Sequence, residues 1–326
     1  MIYKLETQNK NAEKLQRKFE EENIPSFIRD YFYNKESQLS AINYWLAVKD
    51  LLKYLMENKI INKQLFSEIT PQDFALVKPV HINTYLNNKE KISLLSPATL
   101  KTRKNILKSF WEYLVDEDEC PVKKNIIKKV AYKGISSSSS LLIRKLPTEE
   151  QLQQMEKKIN QKNDGFVRIR NLAVFNLLKG SGIREGGLAG LDLSDLYLDE
   201  EMPYIKVLPK GKFREIEKRT VYLTGKAVIY LREWLEVRNL LEVKNTEAVF
   251  LNKNGKRLNE KNIQDIFTNY GNGITPHMIR HWYATVLANI GNVAFAQQQL
   301  GHASQDTTIN SYVLGSYGMK DILANM

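Results

Sequence analysis

The chain has 326 residues, of which 43% are hydrophobic and 10% aromatic, a composition that excludes wholesale disorder and favours two cores over one. Its 48 Lys and Arg against 37 Asp and Glu leave a formal charge of +11, which suits a polyanion such as nucleic acid or an anionic membrane surface. With Cys120 as its one cysteine and no apolar run near the ~18 residues that span a bilayer, the chain has no intrachain disulfide and no cysteine-held metal centre, and a cytoplasmic protein without membrane insertion is expected.

Residues 1–23 are polar and helix-prone and read as an accessory arm or a frayed end. Ala41 to Leu55 places apolar residues at three- and four-residue intervals and predicts a helix with one buried stripe. Ser96-Pro97-Ala98-Thr99 supplies an N-cap and a first-turn proline for a second helix, on which Lys101, Arg103, Lys104 and Lys108 fall largely away from the apolar stripe. Such a face suits phosphate contacts, although a solvated lysine-rich helix is the commoner origin of any one such run. Lys123, Lys124, Lys128, Lys129 and Lys133 extend the positive charge. The Gly/Ser stretch Gly134–Ser140 then reads as a flexible joint, and the sequence on each side of it is net positive. Two basic domains on a flexible strap would grip a polyanion from two sides.

Beyond the joint, Thr148 caps a helix with an acidic first turn, and Arg170 to Lys179 predicts a strongly apolar helix. Tyr204–Leu208 and Arg219–Leu223 are short β-prone segments joined through the basic turn Pro209-Lys210-Gly211-Lys212, after which helical periodicity returns. The expected fold class is mainly α with a small antiparallel β-sheet in the C-terminal domain. Four segments of this half offer polar groups with a shared use. Ser181-Gly182-Ile183-Arg184 presents Arg184 at a helix junction, and Thr275–Trp282 opens a helix with His277 and Arg280 three residues apart. An anion at that helix start would meet an imidazole, a guanidinium and the positive helix end together. Leu300-Gly301-His302 and Thr307–Tyr312 follow.

In these motifs the sequence resembles the tyrosine recombinase, or phage integrase, family, within it the Xer-type and transposon-encoded members. The resemblance runs from about Ile24 to the C-terminus through Gly182-Ile183-Arg184, Lys210-Gly211-Lys212, His277-x-x-Arg280, Leu300-Gly301-His302 and Tyr312, in that order. It implies a two-domain C-shaped clamp on duplex DNA, with a helical core DNA-binding domain over 24–133, a linker over 134–145 and a catalytic domain over 146–326. It also implies a site-specific recombinase that cleaves and rejoins DNA through a 3′-phosphotyrosyl intermediate, at the nucleoid and without a cofactor. By position it assigns the two arginines to Arg184 and Arg280, the lysine to Lys210, the histidines to His277 and His302, and the nucleophile to Tyr312, with Lys212 added to the DNA contacts.

Those residue types suit the reaction. Two guanidiniums can fork onto a phosphate and supply the charge that magnesium supplies elsewhere. A tyrosine with a reference pKa of about 10 must lose its proton as it attacks, and His277 can take it or position it. Lys210 can protonate the leaving 5′-oxygen, and His302 can hydrogen-bond the phosphate. The nearest competitors are Lys212 for Lys210 and Tyr317 for Tyr312, while His277 and His281 form a metal-like pair without a third ligand. Two positions depart from the family pattern: Gly187 stands where an acidic residue is usual, and Trp282 where a small one is. At the end of the chain, Met319, Ile322, Leu323 and Met326 make a short apolar stripe. The resemblance implies that residues 318–326 dock on a neighbouring protomer in a synaptic tetramer. The rival function is a non-catalytic sequence-specific DNA-binding protein that retains the clamp.

Overall fold

The computed structural model describes residues 2–35, 37–132, 146–209, 217–241, 246–289 and 293–301. Two compact units divide the chain, Ile2–Ser138 and Ser139–Met326.

The first unit is helical among its described residues, with α1 (Ile2–Glu21), α2 (Ser26–Tyr33), α3 (Gln38–Glu57), α4 (Pro79–Lys91) and α5 (Pro97–Asp116). The stripe on α3 buries Ala41, Ile42, Trp45, Val48, Leu51, Leu52 and Leu55. On α5 the expected cap forms: Ser96 Oγ accepts from the Thr99 N–H at 3.2 Å, with Pro97 in the first turn. The α1 segment corrects the expectation of a frayed end. Leu15 and Phe19 are fully buried, and the Phe19 ring lies 5.7 Å from that of Phe32 and 5.4 Å from that of Trp45. Two apolar residues four apart are enough to seat a helix when both meet an aromatic core, however polar its remaining faces are.

A polar cluster ties α3, α4 and α5 together. Asp50 accepts from Lys89 Nζ at 2.8 Å, from Tyr85 Oη at 2.9 Å and from the Arg103 guanidinium. Burial alone would raise the Asp50 carboxyl, but these three donors outweigh it and hold the carboxyl below the ordinary carboxylate range. A depressed folded-state pKa adds stability that is present above the unfolded value and is lost as pH falls through the folded one. We therefore expect Asp50→Asn to cost about 1.5–3 kcal/mol at pH 6, the worth of hydrogen bonds to a charged group. In urea titrations the gap between wild type and variant should begin to narrow below about pH 4 and close only as the folded-state carboxyl protonates. A gap that persists unchanged at pH 3 would show that the carboxylate charge is not what holds the cluster.

The second unit surrounds α7 (Gly165–Ser181), which is buried without interruption from Asn171 to Leu178 and packs on α6 (Glu149–Asn160), α9 (Gly225–Asn239) and α11 (Pro276–Asn289). The helix starts five residues ahead of the predicted Arg170 because Asp164 caps it, its Oδ1 accepting from the Val167 N–H at 3.1 Å. The sheet has three strands in the antiparallel order β1 (Leu196–Tyr197), β2 (Tyr204–Val207), β3 (Arg219–Tyr222). Tyr204 pairs with Tyr222 and Val207 with Arg219, and Ile205 and Val221 face the core. Just before β3, Lys218 Nζ meets Asp195 at 2.5 Å with both side chains at most 5% exposed, which pins the start of that strand. The remaining described α-helices are α8 (Glu185–Ala189), α10 (Glu260–Tyr270) and α12 (Val293–Leu300). No described helix is long and apolar enough to cross a membrane.

Candidate active site

The site begins where α7 stops. Gly182 takes a left-handed conformation (φ 62°) and its N–H bonds the Leu178 carbonyl at 3.0 Å. A side chain there is barred twice, by the backbone and by Tyr283, whose Cδ1 would lie 2.3 Å from an added Cβ. Ile183 is buried behind the turn, and Arg184 emerges as an exposed residue at the N-cap of α8, its carbonyl accepting from the Gly187 and Leu188 N–H groups.

Arg280 explains why separated motifs meet. It is 2% exposed on α11, donates from one terminal nitrogen to the Gly182 carbonyl at 2.6 Å and from the other to the Leu300 carbonyl at 2.7 Å. One planar fork thus joins the turn that carries Arg184 to the end of α12, and two of its five N–H donors are committed to backbone. His277, one turn nearer the start of α11, is exposed and its Nε2 lies 2.7 Å from Nε2 of buried His281. That contact is a hydrogen bond between facing nitrogens. Two imidazoles on one tetrahedral zinc would hold their nitrogens about 3.3 Å apart, so the facing atoms serve each other. Among the described residues, no group of three His, Cys, Asp or Glu is placed to hold a metal.

Arg219, at the start of β3, is a residue that sequence reasoning passed over except as a strand boundary. Its guanidinium donates to the carbonyls of Gln299 at 2.6 Å and Gln298 at 3.2 Å, at the C-terminal end of α12. Burial first, and the positive charge of Arg184 second, push Arg219 down to about 10 from an ordinary 12.5, while Tyr283 acts the other way. No described carboxylate is among the groups that shift it. The available signal was a second basic residue directly after Lys218 where the strand pattern resumes.

The two departures from the family pattern have local explanations. A Cβ at Gly187 would already approach Val207 Cγ1 to 2.9 Å, and neighbouring Glu185 accepts from Gln264 Nε2 at 2.8 Å. Trp282 fits as a partly buried ring against the Tyr283–Ala284–Leu300 cluster, with Lys179 Nζ 5.1 Å from its ring centre. Of the expected reaction residues, Arg184, His277 and Arg280 are described, and Arg280 links their segments. Lys210, His302 and Tyr312 lie outside the described residues, as do Lys212, Tyr317, the Gly134–Ser140 joint and residues 318–326.

In the first unit, the expected basic face of α5 is smaller than the sequence suggested. Arg103 is tied to Asp50 and donates to Tyr85 Oη at 2.8 Å, while Lys104 Nζ donates to the carbonyls of Val130 at 2.9 Å and Tyr132 at 2.8 Å. These two serve the unit's interior. Lys101 and Lys108 are exposed.

The phage integrase family model matches residues 145–317. Tyrosine recombinase XerC of Escherichia coli O127:H6 (strain E2348/69 / EPEC) is 28% identical over 287 residues, covering 85% of this chain and 87% of the relative. XerC of Shigella flexneri matches with the same identity and coverage. Among solved structures, XerH site-specific recombinase bound to palindromic difH substrate superposes with a TM-score of 0.66 at 23% identity, covering 89% of this chain and 79% of that one. The Tn1549 transposon integrase in complex with transposon right end DNA gives a TM-score of 0.60 at 18% identity, covering 87% of this chain and 92% of that one. Both share the fold.

Proposed function

The chain belongs to the phage integrase family and is a tyrosine-type site-specific recombinase acting on double-stranded DNA, and we propose that Arg184, Lys210, His277, Arg280, His302 and Tyr312 carry its reaction. Tyr312 Oη attacks the scissile phosphorus as the bond to the 5′-oxygen breaks, leaving the 3′-phosphate on the tyrosine. The phenolic proton passes to His277, which His281 orients, and Lys210 gives a proton to the departing 5′-oxygen. Arg184, Arg280 and His302 stabilise the charge that develops on the non-bridging oxygens. In rejoining, a second 5′-hydroxyl attacks the phosphotyrosine and each proton returns. The bond energy is conserved in the ester throughout, so no nucleotide is consumed.

The observation that carries this reading is the pair of hydrogen bonds that the Arg280 guanidinium donates to the Gly182 and Leu300 carbonyls, which fastens three motif segments into one site. The full set of reactive residue types in the sequence weighs against a clamp that only binds. Residues 24–133 would be the core DNA-binding domain and 146–326 the catalytic domain, joined by the 134–145 linker, with Lys101, Lys108 and Lys212 on phosphates. Residues 318–326 would dock on the next protomer of a synaptic tetramer at the nucleoid, their apolar stripe seated in a partner groove.

The test is cleavage of nicked duplexes from the DNA flanking the gene, in EDTA and without ATP. A covalent protein–DNA adduct should form at the same rate as with magnesium. A strict need for a divalent ion would overturn the mechanism in favour of a metal-dependent one.

A further inference from the structure

We propose that Arg219 is a positioning residue of the strand-cleavage reaction, acting through the C-terminal end of α12 to aim the chain into His302. The inference rests on the strand-exchange reading above. A helix leaves its last carbonyls without intrahelical partners, and the way they are satisfied sets the path of the chain that follows. At α12 each of the last three carbonyls meets a guanidinium: those of Gln298 and Gln299 accept from Arg219 on β3, Gln298 also taking the Gly301 N–H at 3.2 Å, and that of Leu300 accepts from Arg280 on α11. Two positive groups at a helix C-terminus also complement its dipole. Strand β3 fastens the same end a second time, with the Tyr222 N–H donating to the Oε1 of buried Gln299 at 3.2 Å.

The exit turn is fitted to Arg219. Gly301 adopts φ +63°, and a Cβ added there would lie 2.7 Å from Arg219 Nε and 3.2 Å from Cζ. The Gly301 N–H closes the turn onto the Gln297 carbonyl at 2.8 Å. The next residue in the chain is His302. Burial first, and the charge of Arg184 after it, disfavour the charged form of Arg219, an arrangement that an incoming phosphodiester would relieve. A single side chain therefore joins the start of β3, the turn ahead of His302 and the field around Arg184.

Arg219→Gln and Arg219→Lys in the full-length protein test this. We expect Arg219→Gln to slow single-turnover adduct formation at saturating DNA by about 10- to 100-fold, the scale for misplacing one catalytic group, with half-site affinity within about threefold of wild type. Arg219→Lys should recover part of the rate. In a cycle with His302→Ala, Arg219→Gln should add almost nothing to the loss, since both act through one group. Hydrogen exchange supplies an activity-independent readout: the Gly301 amide should exchange at least about tenfold faster in Arg219→Gln while the α7 amides keep their protection. Losses that multiply in the cycle, or an unchanged Gly301 amide, would overturn the positioning role. A wild-type chain that yields no adduct would instead sink the strand-exchange reading, and the positioning role with it.

Discussion

Tyr312→Phe should bind its DNA site with wild-type affinity and form no covalent adduct, the largest effect any single substitution is expected to have. The change removes one oxygen. Phenylalanine retains the ring, so whatever packing Tyr312 makes is preserved, but the atom that would be esterified is gone. A tyrosine elsewhere in the chain would have to attack from a different position. Gel-shift titration and adduct trapping on the same nicked duplex separate the two properties. Residual adduct in the variant would move the nucleophile to another residue, Tyr317 being the nearest competitor in sequence.

Arg280→Ala should abolish measurable cleavage, a loss of about a thousandfold or more, through two separable effects. The first is catalytic: a guanidinium that stabilises charge on a transferring phosphoryl group is worth about that factor. The second is architectural, since the Gly182 and Leu300 carbonyls lose donors at 2.6 and 2.7 Å inside a buried site. Each unsatisfied carbonyl costs about 1–3 kcal/mol, so the alanine variant also melts at a lower temperature. Arg280→Lys keeps the charge and loses the fork. It should stay folded at 25 °C and bind DNA, yet cleave about a hundredfold or more slowly, because an ammonium cannot span both carbonyls in one plane. A lysine variant with near-normal cleavage would show that charge alone suffices and that the bracing geometry is dispensable.

Elements governed by local chemistry were readable in the chain. Ser96-Pro97 marks the start of α5 and Thr148 that of α6, because a cap and a first-turn proline act within three residues. The two longer strands were legible from β-prone runs on either side of the Pro209-Lys210-Gly211-Lys212 stretch, whereas β1, with two residues, has no period to detect. What failed was whatever depends on a distant partner. The helical wheel puts Arg103 and Lys104 off the apolar stripe, but cannot know that Asp50 and the Val130 and Tyr132 carbonyls wait across the interface. Leu15 and Phe19 carry too little apolar area to reveal that α1 completes an aromatic core.

The same division runs through the site. Arg184, His277 and Arg280 were picked out by motif, and the physical link among their segments, two backbone carbonyls on one buried guanidinium, has no sequence signature. Arg219 was missed for that reason: its partners lie 79 and 80 residues further along the chain. His277 and His281 stand at the helical spacing of a metal pair without a third ligand, and their rings meet edge to face with centroids 4.2 Å apart.

Cleavage through a phosphotyrosine can be read out by trapping the wild-type protein on a nicked duplex in EDTA, digesting the adduct and sequencing the modified peptide by mass spectrometry. One nucleotide-bearing peptide is expected, modified on Tyr312 and linked through a 3′-phosphate that leaves a free 5′-hydroxyl on the other DNA fragment. A 5′-phosphate linkage, a modified serine or a different tyrosine, or cleaved DNA with no protein attached would contradict it.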